Sequence, residues 1–395
     1  MKKSLKILLI SLIILIPTNI KALELDISSK NAILYNIDSK EIVYEKNAED
    51  KVQIASLTKI MTAVITLENV DDLNKQIIMT KEDYKGVAEA NLVTSGFTIG
   101  EMVTYKDLLY GLLLPSGADA AKALARNIAG SEENFIKLMN KKTKELKLKN
   151  TNFSNVIGLD DKNNYSSAKD LLIIFNEAIK NEEFKNIIKT KEYTSSDGKL
   201  TLKSTIQKNA KIFNIKVPYI LGGKTGTTTG AGLCLATIAS QDNINYILIT
   251  LGATYDKKAP HHIEDAKTIY DYFMENYSNQ KIVDKTKSFK EIKAKYSKES
   301  KIKLYPEKDI IKYLPNNYDK NDVKYEYNGI ETVTPFTKEK LGTLKIYYKE
   351  DLLDNQTIYL KQKIPFSITN FIKENIIIAS LVTISIIIII IKRAI

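Results

Sequence analysis

Residues 55–63 read ASLTKIMTA, and the rest of the chain is organised around this stretch. Ser56 and Lys59 are one helical turn apart, so in a helix the hydroxyl and the amine lie on the same face. Burial of such a helix would follow from apolar residues at helical spacing, which are Leu57, Ile60, Met61, Val64 and Ile65. Burial disfavours the ammonium form, and a neutral lysine can take a proton from a nearby hydroxyl. The stretch predicts a serine nucleophile with a lysine base.

The spacing alone does not select Ser56. A lysine also follows three residues after Ser166, Ser196, Ser278 and Ser300. Ser166 fits better as part of a helix N-cap before an apolar run, and Ser278 and Ser300 lie in polar, lysine-dense sequence where nothing would lower a lysine pKa. Only Ser56 has apolar surroundings. The competing interpretation of Ser56 is an ordinary core helix with a solvated lysine.

The chain contains few residues that could support catalysis by a histidine, a cysteine or a metal ion. The histidines are the adjacent His261 and His262, and the cysteine is Cys234 in an apolar strand. Metal hydrolases need three or four His, Cys or carboxylate ligands, so we expect no metal and no cofactor. Cys234 is expected to be a buried, inert thiol. Serine with lysine remains as the nucleophile and base.

Two further segments carry polar side chains next to proline or glycine residues that interrupt regular secondary structure. Ser116 stands between Pro115 and Gly117, so we expect it on a loop between two buried helices, where an N-cap role is the competing interpretation. Residues 221–227 read LGGKTGT. This is not a phosphate-binding P-loop, because Pro218 occupies a glycine position and a strand rather than a helix follows. Glycines on a strand instead allow a ligand to approach closely.

Both ends of the chain carry targeting signals. Residues 1–22 have a basic start, an apolar run and a final alanine, which predicts a secretory signal peptide. Residues 376–391 are uncharged, and Lys392 and Arg393 follow, so residues 375–392 are predicted to form a transmembrane anchor. The chain is expected to be exported and anchored in the membrane, with its body on the extracytoplasmic side.

Between these ends the pattern indicates two domains. Residues 23–278 mix helices with strands, including a three-stranded meander after residue 219, and residues 284–365 alternate short strands with polar turns. Residues 278–281 are expected to be a linker. The net charge of +11 comes with only two arginines and no tryptophan, which argues against a nucleic-acid surface. Anionic lipid headgroups or wall polymers are the more suitable partners.

Together, Ser56-x-x-Lys59, Ser116-Gly117 and Lys224-Thr225-Gly226 resemble the three-part signature of penicillin-recognising serine enzymes. Residues 153–171 and 335–343 are further similar to the low-molecular-mass D-alanyl-D-alanine carboxypeptidases. The resemblance covers roughly residues 25–365. It implies an α+β fold of the β-lactamase/transpeptidase type, with a five-stranded antiparallel sheet flanked by helices, followed by a small all-β domain.

The resemblance also implies roles for the site residues. Ser56 would attack the carbonyl between the last two D-alanines of a peptidoglycan stem pentapeptide, with Lys59 as base and Ser116 relaying protons. Lys224 and Thr225, with Gly226 beside them, would hold the terminal carboxylate. The backbone N–H groups of Ser56 and Thr227 would form the oxyanion hole. β-Lactams would acylate the same serine.

One position departs from the family pattern. Ala118 stands where the family commonly has an asparagine whose amide contacts the catalytic lysine and the substrate. This leaves three alternatives open: a weakly active or non-catalytic wall-binding relic, a β-lactamase and a transpeptidase. The β-lactamase is disfavoured, because residues 155–170 contain no Glu-x-x-Leu-Asn stretch that could supply a deacylating base.

Overall fold

The computed structural model describes residues 23–256 and 258–394. The predicted signal peptide, residues 1–22, lies outside the described residues. The chain divides into two compact units, Met1–Tyr272 and Phe273–Ile395.

The first unit contains a central antiparallel sheet and short strand pairs outside it. Its strands are β1 (Asn31–Asn36), β2 (Glu41–Lys46), β3 (Gln76–Ile78), β4 (Met102–Thr104), β5 (Glu192–Thr194), β6 (Thr201–Lys203), β7 (Ile220–Thr228), β8 (Gly232–Gln241) and β9 (Ile244–Ala253). The central sheet has the order β2-β1-β9-β8-β7. All its neighbours are antiparallel, which confirms the predicted five-stranded sheet.

Helices accompany this sheet. They are α1 (Thr58–Asn69), α2 (Tyr105–Leu113), α3 (Ala118–Ala129), α4 (Glu132–Glu145), α5 (Ala168–Ala178), α6 (Glu182–Lys189), α7 (Thr205–Ile212) and α8 (His261–Asn276). Of these, α5, α6 and α7 contact the strands of the sheet directly. α1 is buried from Thr58 to Thr66, because its apolar residues face the core on several sides. Its neighbours in the core include α2, α3, α4 and α5. The helix that carries Lys59 is therefore enclosed by other helices.

The meander that begins at β7 follows from local sequence. β7 and β8 are joined by a turn through Thr229, Gly230 and Ala231, and β8 and β9 by Asp242 and Asn243, which both have positive φ. Positive φ at both central residues is typical of tight hairpin turns, and Asp and Asn tolerate it better than most residues. The strands are almost entirely buried. The sheet therefore holds β7 in a fixed position.

The second unit is built mainly of strands. They are β10 (Tyr277–Val283), β11 (Lys290–Ala294), β12 (Lys301–Leu304), β13 (Ile310–Pro315), β14 (Val323–Gly329), β15 (Thr332–Val333), β16 (Lys340–Tyr348) and β17 (Asp351–Tyr359). A separate apolar core includes Val283, Leu344 and Ile346. The expected linker at residues 278–281 is wrong, because these residues belong to β10. They pair with β13, a partner further along the chain.

The chain ends with α9 (Ile368–Glu374) and α10 (Ile376–Ala394). Among the described residues, α10 is the helix that is long and apolar enough to cross a membrane, over Ile376–Arg393. Its described large apolar side chains are exposed, with none packed into the second unit's core. A helix that is apolar all round suits a hydrocarbon environment.

Candidate active site

Ser56 lies immediately before α1, in a 3-10 turn formed by Ala55–Leu57. Ala55 has a φ of +47°, a conformation uncommon for a residue with a Cβ atom. The turn therefore stores local strain next to the serine, as functional sites often do. Ser56 is partly exposed, whereas its neighbours Ala55 and Leu57 are buried. The hydroxyl is thus available to an incoming molecule.

Lys59 lies within the first turn of α1 and is buried. Its Nζ is 3.0 Å from Ser56 Oγ and donates a 2.7 Å hydrogen bond to the Ile157 carbonyl oxygen. Burial lowers the pKa of Lys59 to about 7, and the negative charge of Asp119 opposes that shift. A substantial fraction of this amine is therefore neutral near neutral pH and can accept the Ser56 proton.

The loop that supplies the Ile157 carbonyl is shaped by Asn155 and Gly158. Asn155 Oδ1 accepts hydrogen bonds from the backbone N–H groups of Gly158 and Leu159, at 2.6 and 3.0 Å. Gly158 has a φ of +88°, and a Cβ atom there would lie 2.0 Å from the Ala55 carbonyl oxygen. Only glycine fits this contact. The spacing analysis did not find this partner of Lys59, although an asparagine three residues before a glycine signals such a turn.

Ser116 and Lys224 form a second hydrogen-bonded pair. Ser116 joins α2 to α3 with a φ of +73°, and its Oγ accepts a 2.8 Å hydrogen bond from Lys224 Nζ. Lys224 Nζ also donates to the Thr225 carbonyl oxygen at 2.7 Å. Lys224 is fully buried, and burial together with the positive charge of Lys59 lowers its pKa well below the ordinary lysine value. The two lysines are therefore close enough to influence each other.

The remaining predicted residues follow Lys224 on β7. Thr225 Oγ1 lies 2.7 Å from Thr205 Oγ1, at the start of α7. Gly226 approaches the nucleophile, since a Cβ atom there would be 3.0 Å from the Ser56 backbone nitrogen. Thr227, the next residue, is exposed. The strand thus runs directly alongside Ser56. Thr205 was not found from the sequence, where it resembles any helix-starting threonine.

Ala118 is buried at the start of α3, and its N–H donates a 2.8 Å hydrogen bond to the Val93 carbonyl oxygen. The next residue, Asp119, accepts hydrogen bonds from the backbone N–H and the hydroxyl of Ser95. Burial raises the pKa of Asp119, and the Ser95 hydrogen bonds counteract this rise. The acid therefore fixes the segment around Ser95 and adds negative charge near Lys59, while Ala118 offers a methyl group.

The residues that the competing chemistries would use are held by other side chains or are chemically inert. His261 contacts Asp256 and Glu264, while Cys234 is buried and its pKa is raised to about 12 by burial. A thiol with such a pKa is a poor nucleophile at neutral pH. Within residues 23–256 and 258–394, no group of three or more His, Cys, Asp or Glu side chains could hold a metal ion.

The sequence places this site in a known family. Residues 18–255 match the family described as D-alanyl-D-alanine carboxypeptidase. The chain belongs to the D-alanyl-D-alanine carboxypeptidase family. It is accordingly a serine-type peptidase, as the Ser56–Lys59 pair suggests.

Relatives of this carboxypeptidase span most of its length. The D-alanyl-D-alanine carboxypeptidase DacF of Bacillus subtilis is 32% identical over 346 residues, which cover 86% of each chain. The D-alanyl-D-alanine carboxypeptidase of Streptomyces sp. strain K15 is 34% identical over 243 residues, covering 58% of this chain and 81% of the relative.

Solved structures show the same fold. Penicillin binding protein 5 of Haemophilus influenzae matches 87% of this chain and 99% of its own, with a TM-score of 0.63 and 24% identity. The Streptomyces K15 DD-transpeptidase matches 64% of this chain and 98% of its own, with a TM-score of 0.57 and 30% identity. The predicted family, fold and carboxypeptidase activity are thereby confirmed.

Proposed function

We propose that this carboxypeptidase removes the terminal D-alanine of peptidoglycan stem pentapeptides through an acyl-enzyme on Ser56. The observation that carries the proposal is the 3.0 Å contact between Ser56 Oγ and a buried lysine whose pKa lies at about 7. Neutral Lys59 takes the Ser56 proton as the Ser56 Oγ–carbonyl bond forms. The peptide C–N bond then breaks, and the departing D-alanine amine takes up a proton. Water next cleaves the ester and restores both groups.

Ser116 and Lys224 extend this mechanism. Ser116 Oγ, which accepts a 2.8 Å hydrogen bond from Lys224 Nζ, is proposed to pass a proton to the leaving amine. Lys224 and Thr225 hold the substrate's terminal carboxylate. In the free site, burial and Lys59 disfavour the charged form of Lys224. An arriving carboxylate favours the ammonium form, so substrate binding restores the cation that recognises it.

The developing oxyanion is stabilised by the backbone N–H groups of Ser56 and Thr227. Gly226 supports this assignment, because a Cβ atom built on it would lie 3.0 Å from the Ser56 nitrogen, so the strand that continues to Thr227 passes close to the Ser56 donor. The same geometry admits β-lactams, which present a reactive amide beside a carboxylate. They are therefore expected to acylate Ser56.

The chain's location and domain boundaries complete the proposal. Residues 1–22 direct export and residues 375–392 anchor the chain. The predicted domains are residues 23–278, which are catalytic, and residues 284–365, but their boundary falls earlier because β10 belongs to the second unit, which begins at Phe273. The apolar helix Ile376–Arg393 supports the anchor. Hydrolysis rather than transfer is favoured by the name of the Bacillus subtilis relative, D-alanyl-D-alanine carboxypeptidase DacF. One solved Streptomyces relative is named a DD-transpeptidase, so an acceptor amine is worth including in the assay.

The test combines adduct mapping with turnover. Penicillin should add its mass to Ser56, located by peptide mapping, and a D-Ala-D-Ala pentapeptide should release free D-alanine. Ser56→Ala should abolish both. Ser300→Ala is the matched control, since Ser300 also precedes a lysine by three residues but is exposed in the second unit. An adduct on another serine, or D-alanine release by the Ser56→Ala protein, would refute the assignment.

A further inference from the structure

The second unit carries a group of exposed apolar side chains next to the proposed anchor. The group, named here the aromatic patch, consists of Phe336, Phe366, Ile368, Phe371 and Ile372, with exposed fractions of 77%, 49%, 67%, 40% and 48%. The rings are contiguous: Phe336 and Phe366 have centroids 6.2 Å apart, and Phe366 and Phe371 5.7 Å. A contiguous exposed apolar surface of this kind marks an interaction site.

The patch is fixed to the β structure of its unit. Hydrogen bonds attach α9 there, among them Ser367 N–H to the Tyr296 carbonyl oxygen at 2.8 Å and Asn370 Nδ2 to the Ser297 carbonyl oxygen at 2.5 Å. The Phe371 ring packs edge-on against Tyr296, with centroids 5.0 Å apart. α9 and the loop that carries Phe336 therefore present one surface rather than a loose linker.

The neighbour of this surface is the start of α10. α9 ends at Glu374 and α10 begins at Ile376, and the Asn375 N–H between them donates to the Phe371 carbonyl oxygen at 3.1 Å. Ile376 follows Phe371 by about five residues, which is roughly 8 Å along a helix. If α10 crosses a bilayer, as the proposed function holds, Phe371 lies within that distance of the hydrocarbon boundary.

Lysines flank the patch. Lys338 follows Phe336 by two residues, Lys363 precedes Phe366, and Lys373 follows Ile372, and all three are exposed. Apolar side chains with lysines at their edges match a bilayer interface, where the former enter the acyl region and the latter meet anionic headgroups. We propose that the aromatic patch inserts into the membrane interface, so that α10 crosses the bilayer while the β unit rests on it.

The absence of tryptophan from the sequence makes a direct test available. A Phe336→Trp variant of the full chain, reconstituted in vesicles containing phosphatidylglycerol, has one tryptophan at the patch. Lipids brominated near the headgroup end of the acyl chains should roughly halve its emission, because interfacial side chains reach that depth. A Phe366→Trp variant is a second reporter, should the first fold poorly, and should behave in the same way.

The control is Tyr325→Trp, at an aromatic position that is 40% exposed, close to the 49% of Phe366, and in the same unit. Tyr325 stacks on Phe289, which directly precedes β11. Tyr296, which contacts the patch, follows the other end of β11. The stretch of about seven residues from Phe289 to Tyr296 spans roughly 20 Å, so brominated lipid should leave the control emission unchanged.

The outcomes separate the patch from the anchor. Retention of the chain on vesicles after an alkaline carbonate wash tests α10 alone, and quenching before the wash tests the patch. Quenching of the Phe336→Trp and Phe366→Trp reporters above the control supports the proposal. Reporter emission that is quenched no more than that of the control would overturn the proposal. A blue-shifted emission without quenching would also overturn it, because it would mean that a protein surface or a second copy of the chain covers the patch.

Discussion

At penicillin concentrations far below saturation, acylation of Ser56 should become about tenfold faster between pH 6 and pH 8 and then level off. Because burial lowers the pKa of Lys59 to about 7, the proton-accepting amine makes up about one tenth of the protein at pH 6 and about nine tenths at pH 8. A lysine with an ordinary pKa of about 10.4 would instead give a rise of about 100-fold over the same range, with no plateau.

The assay is stopped-flow or quench-flow formation of a fluorescent penicillin adduct from pH 5.5 to 9. Penicillin is kept far below saturation, because the second-order rate reports the pKa of the free site, to which the Lys59 value applies. Lys59→Arg keeps a cation beside Ser56 but removes the proton acceptor, so it should lose acylation across the whole range. Ser300→Ala should reproduce the parent profile. A rate independent of pH between 6 and 8, or one still rising tenfold per pH unit at pH 9, would refute the role derived for Lys59.

Four further outcomes are expected. Lys224→Ala should lower kcat/KM for a peptide with a free terminal carboxylate by on the order of 10²-fold, while an amidated peptide loses much less; equal losses would contradict carboxylate recognition. Ala118→Asn should change pentapeptide turnover by no more than roughly tenfold, because one neutral hydrogen bond is worth about 0.5–1.5 kcal/mol. Turnover that appears only in this variant would mean that the parent site is a non-catalytic relic. Gly226→Ala should slow acylation by roughly tenfold with little change in Tm, because the added Cβ, 3.0 Å from the Ser56 nitrogen, displaces the strand. An unchanged acylation rate would argue against the close approach of β7 to Ser56. Burial lowers the pKa of His262 to about 4, so between about pH 6.5 and 4 the unfolded chain binds more protons than the folded one, and stability present above pH 6.5 is lost in that window. Denaturant titrations should show that His262→Phe removes about 2 kcal/mol of the stability loss between pH 7 and 5. An identical loss in both proteins would contradict this origin.

Local chemistry made several features predictable in advance. Ser56 and Lys59 are three residues apart, so helical geometry alone brings their side chains together, and the apolar residues of the same segment imply that Lys59 is buried. The hairpins of the central sheet could be anticipated because Asp242 and Asn243 suit a tight turn whatever surrounds them. The Ala118 substitution is visible without any coordinates.

The errors and omissions share a different cause. Residues 278–281 are polar, and nothing local distinguishes a linker from a strand; their state depends on β13, which lies further along the chain. The Ile157 carbonyl, the acceptor for Lys59, is 98 residues away in sequence. Backbone carbonyls occur at every residue, so no residue type marks the one that is used.

The sequence by itself determined the nucleophile, its lysine and the family, because each depends on residues within one turn or on motifs in order. Only the tertiary structure decided how the parts meet. It places Lys224 Nζ on Ser116 Oγ across 108 residues, and it brings Gly226 against the Ser56 nitrogen. It also decided the charge state of both lysines, since desolvation and the field of one lysine on the other exist only after the sheet and the helices have enclosed them.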